Sequence, residues 1–196
     1  MSIQGGIFLD RDGTLIADRD YLRDCADVEL LAGTAEAIKI LRELGYLLFL
    51  FSNQSGISRG LLTLADVERC NGEMLKQIGL GQIFANICIA AESPDEVQVY
   101  RKPSPRFINE MVNKYGLSRK FCYVVGDKSS DLQAGIDAAI GAAFVRTGKP
   151  YSGEVADLVR RGKSLAFDDL LNFAKYLKEL HEQTNPFAPA RMHFPN

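Results

Sequence analysis

A chain of 196 residues, 46% hydrophobic and 24% charged, has the composition of an ordinary globular domain and can bury a full core without disulfide or metal staples. Its 23 basic and 25 acidic residues leave a formal net charge of −2 with no long block of one sign, which argues against nucleic-acid binding and against a polybasic membrane-surface protein. Cys25, Cys70, Cys88 and Cys122 form no CxxC or CxC pair, so neither a dense disulfide framework nor a zinc knuckle is expected, and a reducing cytoplasm suits them. The N-terminal MSIQGGIFLD has no basic leader and its apolar run breaks at Asp10, so neither a signal peptide nor a membrane span is expected.

Ile7-Phe8-Leu9 is a short continuous apolar run of the kind that forms a strand buried on both faces. The spacing of Ala37, Ile38, Leu41 and Leu44 predicts a helix over 33–44, ended by Gly45, and Tyr46–Phe51 reads as a second buried strand. Thr63, with Asp66 three residues on, caps a helix to Ile78, and a third strand runs from Ile83 to Ala90. The pattern then repeats: a helix over 105–115, a strand over 121–125, a helix over 131–139, a strand over 142–145, a short strand over 164–167 and a helix from Asp168 to His181. Strands alternating with helices imply an α/β fold, a three-layer doubly wound parallel sheet with ligands beyond the carboxyl ends of its strands. Residues 1–183 are read as one domain without a large cap, and 184–196, with three prolines and no period, as a tail.

Four strand ends carry the chemistry. The first, FLDRDGTL, delivers Asp10 and Asp12 two residues apart, and two carboxylates leaning into one pocket require a cation, although Asp12-Gly13 by itself is an ordinary turn signal. The second offers Ser52, able to donate to an anionic oxygen, in a Ser-Asn-Gln turn. Before the helix at 105 stands Arg101-Lys102-Pro103, where the proline favours an extended approach that fixes two cationic side chains. The fourth, VGDKSSD, supplies Asp127 and Asp131, the latter also readable as a helix cap. Together these groups meet the needs of phosphoryl transfer from a monoester to water through a carboxylate nucleophile. A hard cation offsets charge repulsion, a second acid serves the leaving group and the water, and a lysine and a hydroxyl hold the equatorial oxygens.

In order and position, DxDGT, Ser-Asn, Lys-Pro and GDxxxD resemble the signature motifs of the haloacid dehalogenase superfamily of phosphatases, over about 7–150. The strings FLDRDGTL, SNQSGISRG, RKPSP, VVGDKSSDLQAG and FVRTGKP are similar to those of its group of D-glycero-D-manno-heptose 1,7-bisphosphate phosphatases and histidinol-phosphate phosphatases. The resemblance implies that Asp10 is the nucleophile and Asp12 the general acid and base. It further implies that Asp10, the Asp12 carbonyl and Asp127 bind Mg²⁺, that Ser52 and Lys102 hold the phosphoryl group, and that Asn53, Arg101 and Lys128 lie near substrate. Asp18 and Tyr21 fall in a segment that helps to cover the site, and Asp131 is an orienting residue or indirect ligand. Members with a zinc loop carry Cys and His before Arg-Lys-Pro. Here 90–100 reads AAESPDEVQVY, without thiol or imidazole, so no zinc and a shorter or differently folded substrate loop are expected.

The expected activity is removal of the C7 phosphate of heptose 1,7-bisphosphate, a step toward the lipopolysaccharide inner core, in a cytoplasmic monomer or weak homodimer whose partner is a small sugar phosphate. The same chemistry on histidinol phosphate or another small phosphate ester stands beside it. A phosphoacceptor receiver module is disfavoured because Ala90 and Ala91 occupy its expected acidic position, and a phosphate binder without turnover would not need both Asp10 and Asp12. His181 and His193 lie far from every motif and give no support to histidine-based phosphotransfer.

Overall fold

The computed structural model describes residues 4–184, so the expected tail from 185 onward lies outside the described residues. In chain order the elements are β1 (Gly6–Leu9), α1 (Thr34–Glu43), β2 (Leu47–Asn53), α2 (Leu64–Ile78), β3 (Phe84–Ala90), α3 (Arg106–Tyr115), β4 (Tyr123–Gly126), α4 (Ser129–Asp137), β5 (Gly141–Val145), α5 (Gly153–Arg160), β6 (Leu165–Phe167) and α6 (Leu170–Thr184). All six strands are parallel, in the order β3-β2-β1-β4-β5-β6, which is the doubly wound arrangement.

Alternation along the strands builds the layers. Ile7, Leu9, Leu48, Leu50, Val125, Ala143 and Val145 face one side and pack with α1, α2 and α6, where Phe173 is fully buried. Phe8, Phe49, Phe51, Val124 and Phe144 face the other side, against α3, α4 and α5. On that second face Phe8 stacks on Phe49 with centroids 4.7 Å apart, and Phe107 of α3 meets Phe8 edge-on at 5.9 Å. Burying each such ring contributes about 1.5–3 kcal/mol. Strands covered on both sides explain why the apolar runs are continuous rather than alternating in the sequence.

Several element boundaries differ from the sequence expectation. The second strand runs on to Asn53, because Ser52 and Asn53 continue the ladder opposite Ile89 and Ala90, so these two residues are strand rather than turn. The helix after β4 starts at Ser129, which places Asp131 in its first turn. Gly153–Arg160 is an additional helix, capped by Ser152. The stretch before α3 is a turn with a cis Lys102–Pro103 bond in place of an extended approach. No helix among the described residues is long and apolar enough to cross a membrane.

The start of α2 fixes the chain that enters beside the strand ends. Thr63 Oγ1 accepts from the Asp66 N–H at 3.1 Å, and Asp66 accepts in return from the Thr63 N–H at 2.8 Å, while Arg69 donates to its other oxygen at 2.6 Å. Hydrogen bonds from the Thr63 backbone and hydroxyl, then from Arg69, bring the Asp66 carboxyl down to about 2. Thr63→Ala is expected to cost about 1 kcal/mol. Because the folded value lies below the unfolded one, the contribution of Asp66 is fully present above pH ~4 and is lost as pH falls through ~2. The stability gap between the protein and Asp66→Asn, measured by denaturation across pH, is therefore widest near neutrality and closes over that interval.

Candidate active site

β1 and β4 are adjacent, and the connections turn to opposite sides of the sheet from them, so the crevice at their carboxyl ends is the topological switch point. Asp10 leaves β1 there, its N–H donating to the Val125 carbonyl at 2.9 Å, and Asp127 leaves β4 beside it. Lys102 reaches in from the turn before α3 and donates to Asp10 Oδ1 at 2.7 Å and to the Phe51 carbonyl at 2.7 Å, and it pairs with Asp131 Oδ1. Lys128 Nζ lies 3.5 Å from Asp10 Oδ2 and 3.2 Å from Asp127 Oδ1. Three buried carboxylates thus face two ammonium groups.

The charges settle unequally. Burial works against ionisation of Asp10, yet Lys102 and Lys128 outweigh it and bring its carboxyl down to about 2. Asp127 goes the other way, up to about 6, through burial and the negative charge of Asp10. Asp131 is also raised, by burial first, and Lys102 and Lys128 are raised because the surrounding carboxylates overcome their own desolvation. Asp10 is therefore ionised, and the carboxylate pair beside it lacks a full complement of positive charge.

A divalent cation fits that deficit. Asp10, Asp127 and Asp131 each offer a ligand oxygen, all within 4.8 Å of one another, and the buried Asp127 Oδ1 and Asp131 Oδ1 are answered only by the ammonium groups of Lys128 and Lys102. Oxygen donors of this hardness suit Mg²⁺. The other Asp127 oxygen accepts from the Lys149 N–H at 2.8 Å and is pressed between two glycines: a Cβ on Gly13 would meet it at 2.5 Å and one on Gly148 at 2.1 Å. Thr147 ties the two turns together by donating to the Gly13 carbonyl at 2.7 Å.

Asp12 faces a different set of partners. Its carboxylate accepts two bonds from Arg11, at 3.1 and 2.9 Å, and a third from Gln54 Nε2 at 2.8 Å. Gln54 also donates to Ser52 Oγ at 2.7 Å, which leaves the Ser52 hydroxyl proton to donate elsewhere. Arg11, 1% exposed, is anchored by Asn71 Oδ1 of α2 at 3.1 Å. One hydrogen-bonded chain therefore joins Asn71, Arg11, Asp12, Gln54 and Ser52.

Asn53 exchanges two hydrogen bonds with the Lys102 backbone, at 3.1 and 2.9 Å, and so locks the approach of that lysine. Arg101 donates to the Glu92 carbonyl at 3.2 Å on the same side. Asp18 pairs with Lys149 at 2.8 Å rather than with any group of the acidic cluster. Tyr21, 44% exposed and left-handed at φ 57°, accepts from Arg59 at 2.9 Å and lies over Gly56. Arg11, Gln54, Asn71 and Lys149 were not singled out from the sequence. Asn71 alone left a signal, as a polar residue in the buried stripe Val67, Cys70, Met74 and Ile78 of α2.

A haloacid dehalogenase-like hydrolase family model matches residues 8–139, a span that contains Asp10, Asp12, Ser52, Lys102, Asp127 and Asp131 but not the turn after β5. A D-glycero-beta-D-manno-heptose-1,7-bisphosphate 7-phosphatase of Helicobacter pylori is 34% identical over 148 residues, 74% of this chain and 84% of its own. One of the same name from Haemophilus influenzae is 33% identical over 187 residues, 89% of this chain and 97% of its own. The crystal structure of a D,D-heptose 1.7-bisphosphate phosphatase from B. bronchiseptica, complexed with magnesium and phosphate, superposes with a TM-score of 0.77 at 26% identity, over 89% of this chain and 99% of that one. With its sheet order, its acidic switch point and the matched span in agreement, this chain belongs to the haloacid dehalogenase-like hydrolases.

Proposed function

We propose that the protein is a Mg²⁺-dependent phosphatase that removes the C7 phosphate of D-glycero-D-manno-heptose 1,7-bisphosphate, supplying a precursor of the lipopolysaccharide core. The observation that carries the reaction class is Asp10: a buried, ionised carboxylate at the switch point, steadied by Lys102 and faced by Lys128. The names of the relatives, at 33–34% identity over most of their length, support the substrate. Four free cysteines support a reducing cytoplasm.

In this reading an Asp10 oxygen attacks phosphorus while the bond from phosphorus to the C7 oxygen breaks. Asp12 gives that oxygen a proton, and the sugar leaves as an alcohol. Water then attacks the aspartyl phosphate, Asp12 takes its proton, and phosphate departs with Asp10 restored. Asp12 is tied through Gln54 to Ser52, which supports its working beside the phosphoryl group that Ser52 would hold. Lys102 and Lys128 offset charge on the equatorial oxygens. Asp10, the Asp12 carbonyl and Asp127 would hold Mg²⁺, which would add charge neutralisation at the phosphoryl group. Asp131 acts on Lys102 and on the Lys128 N–H, which it receives at 3.0 Å, and so orients the two lysines.

Asp10→Asn is expected to lower kcat by at least about a thousandfold, and Asp12→Asn by roughly 10²–10⁴. Steady-state phosphate release checks both, and an Asp12→Asn enzyme that retains turnover overturns the assignment of the acid. The substrate is tested by comparing kcat/KM on the heptose bisphosphate anomers with that on histidinol phosphate. A preference for histidinol phosphate replaces the heptose reading while leaving the chemistry intact.

Chelation should abolish activity and Mg²⁺ restore it. Gly148→Ala drives a methyl group into Asp127, so the Mg²⁺ concentration for half-maximal activity should rise about tenfold or more. A Mg²⁺ titration of both proteins measures this, and an unchanged midpoint counts against Asp127 as a ligand.

A further inference from the structure

The segment between β3 and Lys102 is closed on itself by hydrogen bonds from side chains to backbone, and Glu92 stands at its neck. The Glu92 carboxylate accepts from the N–H of Val99 at 3.2 Å and of Tyr100 at 2.9 Å, while its carbonyl accepts from Arg101 Nη1 at 3.2 Å. One residue of the outgoing stem therefore holds three consecutive residues of the returning stem. Toward the tip, the Ser93 N–H donates to Glu96 at 2.6 Å and Gln98 donates to the Pro94 carbonyl at 3.1 Å, and Val97 is 85% exposed. On the site side, Ser104 Oγ donates to the Val99 carbonyl at 2.8 Å.

Lys102 does not depend on this neck, because Asn53 clamps its backbone and two buried carboxylates hold its ammonium. Arg101 does. A carbonyl holds its guanidinium, and burial together with the nearby positive charge of Arg59 works against its own charge. The charge of Glu92 offsets this only in part, and two guanidiniums sharing one region, neither in a salt bridge with a carboxylate among the described residues, create a demand for an anion. Burial disfavours the charge on Glu92, but the N–H groups of Tyr100 and Val99 outweigh that and hold its carboxyl below the usual range, so the clamp is ionised at neutral pH.

We propose that Glu92 is a positioning residue for substrate recognition: by clamping the neck of this loop it aims the Arg101 guanidinium at the phosphate of the substrate that does not react. This rests on the bisphosphate reading above and names how one end of that substrate is selected. Glu92 touches no reacting atom and acts through Arg101.

The test is a comparison of two substrates. Glu92→Ala is expected to raise KM for heptose 1,7-bisphosphate about tenfold with kcat little changed. Turnover of 4-nitrophenyl phosphate, which has no second phosphate, should stay within about twofold. Glu92→Gln keeps an oxygen that accepts the same two N–H groups and should keep KM within about twofold of the parent. Val99→Pro removes one donor from the opposite stem and should reproduce the loss confined to KM, an independent reading should Glu92→Ala fail to fold.

Because Glu92 works through Arg101, the double variant Glu92→Ala with Arg101→Ala should bind the bisphosphate no worse than Arg101→Ala alone. Equal losses on both substrates, a Glu92→Gln variant as impaired as Glu92→Ala, or additive losses in the double variant overturn the proposal. An Arg101→Ala enzyme with unchanged KM removes Arg101 from substrate recognition and takes the proposal with it. An effect of Arg101→Ala without one of Glu92→Ala overturns the role of Glu92 alone.

Discussion

The contact of Lys102 with Asp10 and Asp131 holds the site together electrostatically. Side chains of both signs are almost fully buried there, and taking such charges out of water costs several kcal/mol each unless they are paired. The lysine serves both carboxylates, so the arrangement stands or falls as a unit. Asp131, drawn to Lys102, is free to receive the Lys128 N–H with its other oxygen, and that helix start carries the second lysine toward Asp10. The same pairing separates the carboxylates by function. Asp10, between two cations, is held ionised, whereas burial and the charge of Asp10 raise the carboxyl of Asp127, which has only Lys128 to answer its Oδ1.

Both faces of the sheet are needed to hold these residues. The acidic cluster is carried by β1 and β4, which pack into both layers, and by α4, which packs into the phenylalanine-rich layer of Phe8, Phe49 and Phe107. The chain that fixes Asp12 ends on Asn71, in a helix of the opposite layer. Asp10 and Asp12 are two residues apart in sequence, but Asp10 is held by Lys102 and Lys128 while Asp12 is held through Arg11 from α2. This gives Arg11 its unusual place as a fully buried guanidinium, bridging the end of β1 to α2.

The neck at Glu92 solves the problem of ordering a loop that leaves an edge strand. β3 has a neighbour on one side only, so the segment beyond Ala90 lacks sheet partners and must satisfy its backbone groups within itself. A carboxylate taking two N–H bonds does so with a single side chain, and Asn53 performs the matching task one residue beyond Arg101, at Lys102. Arg101 and Lys102 are thus held by separate contacts on either side of the bond between them.

Much of this was legible in the chain. Continuous apolar runs and helical periods were enough for the parallel sheet and its two covering layers, because a strand buried on both faces and an amphipathic helix each leave a local pattern. Asp10, Asp12, Ser52, Lys102 and Asp127 were legible for a related reason: a doubly wound sheet exposes its strand ends at one edge, so position in the alternation translates into position in the site. The α5 helix was missed because its eight residues make little more than two turns, too short a stretch for a helical period to be counted. What only the tertiary structure decided was pairing across distance. That Asp12 lies with Arg11 and Gln54, that Asp18 belongs to Lys149, and that Arg11 is anchored by Asn71, 60 residues away, depends on which surfaces come together when the layers close. Local sequence determines what each strand end presents, while burial and the sheet order determine which charges must answer one another.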